Sequence, residues 1–445
     1  MKIRRIAAVW AAKTVGYTCK KLGRQGVTWA GKIALKLCPS ILEELSAQVR
    51  DKIFVVCGTN GKTTTNNMLC AALEAEGKKV ICNHTGSNML NGVVAAFVLG
   101  AKWNGRLDAD YACIEADEAS TRYIFPAIKP DYMVMTNLFR DQLDRYGEID
   151  TTMNILEEMI RKVPKMQIIV NGDDALSAYL AMDSGNSFIT YGISSPVMKN
   201  ETNEIREGRF CKRCGERLQY SFYHYSQLGD YRCPECGFER PPIDYDARDV
   251  KVGDQLCFTV EDKHIVANYK GFYNVYNILA AYAGVRTAGF AADRFNDMLR
   301  GFNPENGRME QFRIKGTGIV LNLAKNPAGF NQNISAVMQD KAPKDLIIAI
   351  NDNAQDGIDI SWLWDVDFDL FQDESIRSIT VSGIRCQDMR LRLKYVDIPS
   401  KLEEDVEKAI RSCIDNGTGN LYVLVNYTAL FSTRNILKKL EGEKA

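Results

Sequence analysis

Short apolar runs alternate with longer amphipathic stretches along the first 200 residues. Residues 53–57 (IFVVC) form a β-branched run, and YACIEA, YMVMTNL and QIIVNGD follow it. The stretch from Lys62 to about Glu76, and later TTMNILEEMIRKV, have the apolar spacing of helices. Strands that alternate with helices are typical of a parallel α/β sheet.

Residues 201–242 interrupt this pattern, because they are polar, rich in Arg and Tyr, and contain a cluster of cysteines. NVYNILAAYAGVRTAG then predicts a helix that ends at Gly289. GRMEQFRI and GIVLNLAK begin a second α/β series, whose later strands are LIIAI, SITVSG and NLYVLVNY. We therefore expect an N-terminal segment (1–50), a central α/β domain (51–310) with an insert at about 205–240, and a C-terminal α/β domain (311–445).

The charge of the chain is balanced overall but uneven along its length. Lys+Arg and Asp+Glu both number 56, which does not favour a nucleic-acid partner. The first 42 residues, however, hold nine basic residues and no acid. Such a segment can bind an anionic membrane surface, or it can be one solvated face of a helix.

Targeting signals are weak in this sequence. The apolar core IAAVWAA is short and is interrupted by Lys13, unlike a signal peptide, and no apolar run approaches the ~20 residues of a membrane-spanning helix. We expect a cytoplasmic protein that the basic N-terminus can hold at the inner face of the membrane.

A glycine-rich loop follows the first strand. Its residues are Gly58, Thr59, Asn60, Gly61, Lys62, Thr63 and Thr64. Between a strand and a helix, such a loop predicts a phosphate-binding site, because glycines let backbone N–H groups approach phosphate oxygens at a helix N-terminus. Lys62 would reach the β- and γ-phosphates of ATP, and the Thr63 hydroxyl would bind Mg²⁺.

The loop and several later motifs resemble those of the Mur ligases and folylpolyglutamate synthetases, a family of ATP-dependent amide-forming ligases. The matching segments are GTNGKT (58–63), CIEADEAS (113–120), TNLFRDQLDRYG (136–147), VNGDD (170–174), GFYNVYNILAA (271–281) and GRME (307–310). The resemblance implies a catalytic role for Lys62 and that Glu115 is a Mg²⁺ ligand. It also implies that Asn274 or Asn277 faces the adenine and that Arg308 contacts the nucleotide.

Three positions depart from the family pattern. Gln142 stands where the family has a metal-binding histidine, and Glu157 stands, by count, where many members carry a carbamylated lysine. A carboxylate at that position already bears the charge that carbamylation creates. Residues 322–327 (NLAKNP) replace the family's D-Y-A-H-x-P, which implies an altered acceptor end at Asn322–Asn326.

Four cysteines of the insert have the spacing of a zinc ribbon. Cys211, Cys214, Cys233 and Cys236 form two C-x₂-C pairs separated by eighteen residues. Four thiolates would complete the tetrahedron around Zn²⁺ and leave no open position, so the predicted site is structural. Disulfides are the alternative, and a cytoplasmic location argues against them. Most other cysteines are expected to be small buried hydrophobes.

The segment AINDNAQDGIDISWLWDVDF (349–368) contains two tryptophans and five aspartates. Trp362 and Trp364 would share one face if the segment were extended. Together with the zinc ribbon and Gln142, this segment resembles the MurT family, the Mur-ligase-like subunits of lipid II isoglutaminyl synthase. The fold that we expect is thus a Mur-ligase-like P-loop domain with a parallel sheet and an inserted four-cysteine zinc ribbon, followed by a Rossmann-like α/β domain.

This resemblance implies that ATP activates the α-carboxylate of D-glutamate in the lipid II stem peptide, and that ammonia from the glutamine amidotransferase GatD then amidates it. In this family an aspartate of the C-terminal domain completes the glutaminase site of the partner. Asp356 is our candidate, because Gly357 permits a turn that would direct its side chain outward, and Asp359 is the second candidate. An amino-acid-adding Mur or folylpolyglutamate ligase is the alternative function, and a non-enzymatic zinc-ribbon binding module is another.

Overall fold

Seven strands form an all-parallel sheet in the first part of the chain, in the order β2-β3-β1-β4-β5-β6-β9. The computed structural model describes residues 2–21, 26–141, 148–197, 207–253, 255–268, 271–302, 309–417 and 419–442. The strands of this sheet are β1 (Lys52–Cys57), β2 (Val80–Cys82), β3 (Tyr111–Glu115), β4 (Tyr132–Met135), β5 (Gln167–Asn171), β6 (Phe188–Gly192) and β9 (Tyr245–Asp246).

Both faces of this sheet are buried, as its nearly continuous apolar strands require. In β1, Ile53, Val55 and Cys57 enter one core, whereas Phe54 and Val56 enter the other. Helices cover both faces. Those before the insert are α1 (Lys2–Lys21), α2 (Val27–Leu37), α3 (Ile41–Ser46), α4 (Lys62–Ala75), α5 (Leu90–Gly100), α6 (Thr121–Ile128), α7 (Ile149–Lys162) and α8 (Ala175–Asp183).

The first three helices lie on the face of the sheet that α5 also covers. Ala8, Ala12, Ala30 and Ala34 are buried there, and small side chains let α1 and α2 pack closely. Among the described residues, no helix combines the length and the hydropathy that crossing a membrane requires.

Small antiparallel elements follow the sheet. Strands β7 (Gln219–Tyr225) and β8 (Leu228–Arg232) form a hairpin, and β10 (Arg248–Val252), β11 (Leu256–Val260) and β12 (Lys263–Ala267) form a three-stranded sheet. Helices α9 (Tyr273–Thr287) and α10 (Phe295–Gly301) come next. The long, buried α9 packs against α4 beside the first sheet.

A second sheet has six strands in the order β13-β14-β18-β15-β16-β17 and is parallel except for the first pair. Its strands are β13 (Glu310–Ile314), β14 (Thr317–Leu323), β15 (Lys344–Ala349), β16 (Ile376–Ser382), β17 (Lys401–Leu402) and β18 (Asn420–Val425). Its helices are α11 (Pro327–Gln339), α12 (Cys386–Lys394), α13 (Val406–Asp415) and α14 (Tyr427–Gly442). The predicted α/β fold class is confirmed.

Two adjacent aspartates after β5 hold several elements together. Asp174 begins α8 and accepts hydrogen bonds from Leu138 N at 2.8 Å and Gln227 Nε2 at 2.9 Å. Asp173 is fully buried and accepts hydrogen bonds from Arg240 Nε at 2.7 Å and Tyr276 Oη at 2.7 Å. The hairpin, α9 and the edge of the first sheet therefore meet at these two carboxylates.

We expect Asp173→Ala to destabilise the protein by about 3–5 kcal/mol, because removing one partner of a buried ion pair leaves the other charge uncompensated. Arg240 would be the group left without its counter-charge. The measurement is urea-induced unfolding followed by circular dichroism. Arg300→Ala is the matched control, since its ion pair with Asp297 is exposed and contributes about 0–1 kcal/mol. Similar losses in both variants would contradict this prediction.

Candidate active site

The glycine-rich loop lies between the carboxyl end of β1 and the N-terminus of α4. Gly58 and Gly61 have φ values of 122° and 83°, which side chains rarely permit. A Cβ at Gly58 would lie 2.2 Å from Thr136 Oγ1, and one at Gly61 would lie 2.1 Å from Asn277 Oδ1. Neither glycine can be replaced without moving its neighbours. The loop joins β1 to α4, so the strand–loop–helix arrangement predicted from the sequence is confirmed.

The segment after β4 holds this loop in place. Thr59 N donates to Asn137 O at 2.7 Å, and Asn60 N donates to Asn137 Oδ1 at 2.9 Å. The Thr59 hydroxyl donates to Phe139 O at 2.9 Å. The TNLF segment, which resembles a motif of the ligases, therefore holds the phosphate loop in position through hydrogen bonds. Gln142, further along the same motif, lies outside the described residues.

Lys62 is buried although it begins the helix after a polar loop, with only 7% of its surface exposed. Its Nζ lies 3.0 Å from Glu118 Oε1, which also accepts a hydrogen bond from Gly58 N at 2.7 Å. Burial opposes the charge on Lys62, but nearby carboxylates, of which Glu118 acts most strongly, outweigh it and raise the pKa of the lysine. Burial conversely raises the pKa of Glu118, which Lys62 partly offsets.

Sequence reasoning selected Glu115 in the CIEADEAS segment and missed Glu118. Glu118 could have been noticed as the second glutamate of the same motif, three residues after Glu115. Only the turn after β3 shows that this second carboxylate reaches the lysine and the loop.

Glu115 and Thr63 lie beside one another at the start of α4. Glu115 Oε1 accepts a hydrogen bond from Asn88 Nδ2 at 2.9 Å, whereas its buried Oε2 has no hydrogen-bond partner among the described residues. A Cβ at Gly86 would lie 3.0 Å from Thr63 Oγ1 and 3.3 Å from Glu115 Oε2, so both oxygens border the same small space. A buried carboxylate oxygen that lacks a hydrogen-bond partner and lies beside a hydroxyl fits a Mg²⁺ ion, which prefers oxygen ligands.

Of the other residues predicted to contact the nucleotide, three lie within the described parts of the chain and one does not. Thr64 is buried in the first turn of α4. On α9, Asn277 Nδ2 donates to Asn274 Oδ1 at 3.0 Å, and Asn277 also lies against Gly61. Asn277 is therefore adjacent to the phosphate loop, and Asn274 is hydrogen-bonded to Asn277. Arg308 lies outside the described residues.

The second sheet unit contacts the phosphate loop directly. Asn326, which caps α11, exchanges side-chain hydrogen bonds with Asn60 at 3.1 and 3.3 Å. Lys325 Nζ donates to Asp141 Oδ2 at 2.6 Å. A narrow cleft runs between the two units, bordered by Asp141, Lys325, Asn326, Asp359 and Trp362. The acceptor segment that departs from the ligase pattern therefore lies at the phosphate loop.

Glu157 lies on α7 and forms an ion pair with Arg161 at 2.6 Å. It is not among the carboxylates that act most strongly on Lys62.

The expectation that Gly357 directs Asp356 outward is wrong. Gly357 does adopt a left-handed φ of 83°, but Asp356 is only 5% exposed. Its carboxylate accepts hydrogen bonds from Thr428 N at 2.8 Å and from the Thr428 hydroxyl, at the start of α14. Burial raises the pKa of Asp356, and these donors counteract the effect. Asp359 is partly exposed and borders the cleft.

The two tryptophans do not share a face, because Ser361–Asp365 is a 3₁₀ helix rather than an extended segment. Trp362 packs against Phe330 with ring centroids 6.1 Å apart. Trp364 is 50% exposed and contacts Tyr395 edge-on. Only Trp362 is therefore anchored in the core of the second unit.

The four insert cysteines converge, and their sulfur atoms all lie within 4.8 Å of one another. Cys211 Sγ is 3.5 Å from Cys236 Sγ, and Cys214 Sγ is 3.4 Å from Cys233 Sγ. These cysteines are free thiols rather than disulfides. Zn–S bonds of about 2.3 Å in a tetrahedron place sulfur atoms about 3.8 Å apart, so the cluster fits one zinc ion.

Comparison with protein families and relatives agrees with this geometry. Residues 56–234 match the family model of the Mur ligase middle domain, and residues 323–430 match that of the MurT ligase C-terminal region. The chain is 35% identical over 430 residues to the MurT subunit of lipid II isoglutaminyl synthase (glutamine-hydrolyzing) from Staphylococcus aureus (strain COL), covering 96% of each chain. It is 33% identical to the MurT subunit from Streptococcus pneumoniae (strain ATCC BAA-255 / R6), with 98% of each chain covered.

Solved structures show the same fold. A pseudomurein peptide ligase type C from Methanothermus fervidus superposes with a TM-score of 0.69 at 23% identity, covering 92% of this chain and 84% of the other. MurF from Acinetobacter baumannii gives a TM-score of 0.65 at 16% identity, with 93% and 81% covered. The protein thus has the Mur ligase fold, and its similarity to the curated relatives over nearly its whole length shows that it belongs to the MurT family of lipid II isoglutaminyl synthase subunits.

Proposed function

We propose that this protein is the ATP-dependent ligase subunit of a glutamine-hydrolysing synthase that converts the α-carboxylate of D-glutamate in lipid II to the amide of D-isoglutamine. The observation that carries the proposal is the convergence of the phosphate loop, the Thr63–Glu115 oxygens and Asn326 of the second unit at one cleft. The names of the relatives supply the reaction and the lipid-linked substrate.

The reaction has two steps, and neither step changes an oxidation state. The substrate carboxylate attacks the γ-phosphorus of ATP, forming an acyl phosphate and releasing ADP. Ammonia then attacks the acyl carbon, phosphate leaves with the electrons of the broken C–O bond, and the nitrogen loses one proton to the released phosphate or to water. Among its own residues, the chain supplies Lys62 and the N-terminus of α4 to stabilise negative charge on the transferred phosphoryl group.

Glu115 and Thr63 would hold Mg²⁺, which supplies charge neutralisation between the phosphates. The ATP site that we propose is completed by Thr59, Asn60, Thr64, Asn274, Asn277 and Arg308. In the structure Lys62 is paired with Glu118, so ATP binding would exchange a carboxylate partner for a phosphate. Glu118 then remains as the acceptor for Gly58 N and keeps the loop in position.

Ammonia would come from a glutamine amidotransferase partner of the GatD type. A glutaminase uses a cysteine nucleophile and a histidine base, and a carboxylate orients that histidine. We propose that Asp356 is this carboxylate, with Asp359 as the second candidate. Both carboxylate oxygens of Asp356 accept hydrogen bonds from Thr428 and the side chain is buried, so this role requires the partner to displace the Thr428 hydroxyl when the complex forms. The reaction would occur at the inner face of the membrane, where the lipid-linked substrate is anchored.

We expect Lys62→Met to abolish amidation of lipid II, because the transferring phosphoryl group loses its cation, whereas the unmodified complex amidates with ATP and ammonium but adds no amino acid. Mass spectrometry of the stem peptide is the measurement. Amino-acid addition by the unmodified complex would support the alternative ligase instead, and normal amidation by the variant would refute the phosphate-loop assignment.

This variant should also lose stability as pH rises, because Glu118 remains buried without its cation. Without Lys62, the pKa of Glu118 in the folded state lies further above its value in the unfolded state. Between these two pKa values the folded protein binds more protons than the unfolded protein, so its stability falls as pH rises. Lys62→Met/Glu118→Gln is the matched control, and its thermal stability should not show this decrease.

We expect one tightly bound zinc ion per chain, because four converging thiolates form a closed tetrahedral site. Cys211→Ser should release the zinc and destabilise the hairpin, since metal binding is coupled to local folding. Elemental analysis and limited proteolysis between residues 207 and 240 measure these effects. Cys386→Ser, in a buried cysteine outside the cluster, is the control and should retain zinc. Freshly purified protein without zinc would contradict the assignment.

We expect Asp356→Asn to abolish glutamine-driven amidation but to leave ammonium-driven amidation intact, because only the partner's histidine loses its carboxylate. Both reactions are measured in the assembled complex. Asp359→Asn tests the second candidate in the same way.

Thr428→Val is the control for helix capping, since it removes a donor to Asp356 but leaves the carboxylate. It should retain most of the glutamine-driven activity. Equal loss of both reactions in Asp356→Asn would place this residue in the ligase site, and loss of neither would leave it with the capping role alone.

A further inference from the structure

Helix α1 presents a row of exposed apolar side chains to the solvent. Ile3, Trp10 and Tyr17 follow one another at seven-residue spacing, which places them on one side of the helix. Trp103, in the loop between α5 and β3, extends the row, because its ring lies 4.9 Å from that of Trp10 and its carbonyl oxygen accepts a hydrogen bond from Trp10 Nε1. We call Ile3, Trp10, Tyr17 and Trp103 the α1 aromatic surface.

This surface is open although its residues are large. Trp10 is 54% exposed, Tyr17 63% and Trp103 52%. On the neighbouring α2, Trp29 is also exposed. Exposed clusters of large apolar side chains mark interaction sites, because isolated ones are ordinary but contiguous ones are uncommon.

Basic side chains surround these rings. Lys21 Nζ lies 4.9 Å from the ring centre of Tyr17, and Lys32 Nζ lies 5.4 Å from that of Trp29. Arg4 and Lys36 are exposed on the same two helices. None of these four cations forms an ion pair with an acid within the described parts of the chain. The first 42 residues contain no acid, and the nearest one seen in an ion pair with α1 is Glu44 of α3, which binds Arg5.

We propose that the α1 aromatic surface, together with the basic residues of α1 and α2, docks this protein onto an anionic lipid bilayer. Tryptophan and tyrosine rings prefer the boundary between headgroups and acyl chains, because one end of each ring system is apolar and the other is polar. Lysine and arginine beside them attract anionic headgroups. The combination is that of a helix lying in the membrane interface.

A second copy of the chain fits this surface less well than a bilayer does. A symmetric dimer would bring two identical positive patches together, and like charges repel. An anionic bilayer complements the charge and receives the aromatic rings at once.

The position of α2 connects this surface to the active site. Gly31 of α2 packs so closely on α5 that a Cβ there would lie 1.8 Å from Asn91 O. Asn88, three residues before Asn91, donates to the metal-site carboxylate of Glu115. A chain of contacts through α2 and α5 therefore joins the docking helices to the segment that carries Asn88. The usefulness of this arrangement rests on the proposed lipid-linked substrate, but the docking itself requires no activity.

The test is co-sedimentation of the full-length chain with vesicles of equal parts phosphatidylglycerol and phosphatidylcholine. We expect binding that weakens as salt is added, and little binding to pure phosphatidylcholine vesicles. Lys21→Gln/Lys32→Gln should bind roughly 25-fold more weakly, at about fivefold for each basic residue. Trp10→Ser should also reduce binding, and it should reduce the blue shift of tryptophan fluorescence on vesicle addition.

Lys394→Gln/Lys438→Gln is the matched control, because both lysines are exposed on the second sheet unit. It should bind the vesicles like the unmodified protein. ATP binding by the lysine variants should be unchanged, which separates failure of docking from failure of the proposed function. Equal binding to both vesicle types, equal loss in the control, or a dimer in light scattering that Trp10→Ser dissociates would each overturn the proposal.

Discussion

The phosphate loop between β1 and α4 depends on one buried ion pair. Glu118 Oε1 accepts hydrogen bonds from both the Lys62 ammonium and Gly58 N, so a single oxygen fixes the two ends of the loop. A buried charge is costly unless it is paired, and here each partner compensates the other. The loop is thus preorganised around a cation that phosphate can take over, and such preorganisation avoids structural rearrangement during the reaction.

The zinc-ribbon insert is attached to the same site through its hairpin. Gln227 Nε2 donates to Leu138 O at 2.6 Å and to Asp174 Oδ1 at 2.9 Å. Leu138 follows Asn137, which holds Thr59 and Asn60 of the loop. The hairpin of the four-cysteine insert is therefore linked to the phosphate loop through Gln227, Leu138 and Asn137.

The second sheet unit combines two kinds of contact. Asn326 binds Asn60 of the phosphate loop, and Lys325 binds Asp141. Asp356 and Thr428 bind each other beyond the carboxyl ends of β15 and β18. Carboxyl ends of parallel strands lie at one edge of a sheet, where ligand-binding residues of open α/β sheets commonly gather. Both the ligase and the proposed glutaminase contribution therefore come from one edge of the second sheet.

The sequence by itself determined most strands of the two α/β sheets, several of their helices, the phosphate loop and the cysteine cluster. These features depend on local signals, namely apolar periodicity, glycines before a helix N-terminus and metal-ligand spacing. Tertiary structure alone decided that Lys62 is buried against Glu118, that Asp356 turns inward to Thr428, and that Trp362 and Trp364 diverge. Burial and side-chain direction depend on residues distant in sequence, and a local pattern holds no information about which distant group will compensate a charge.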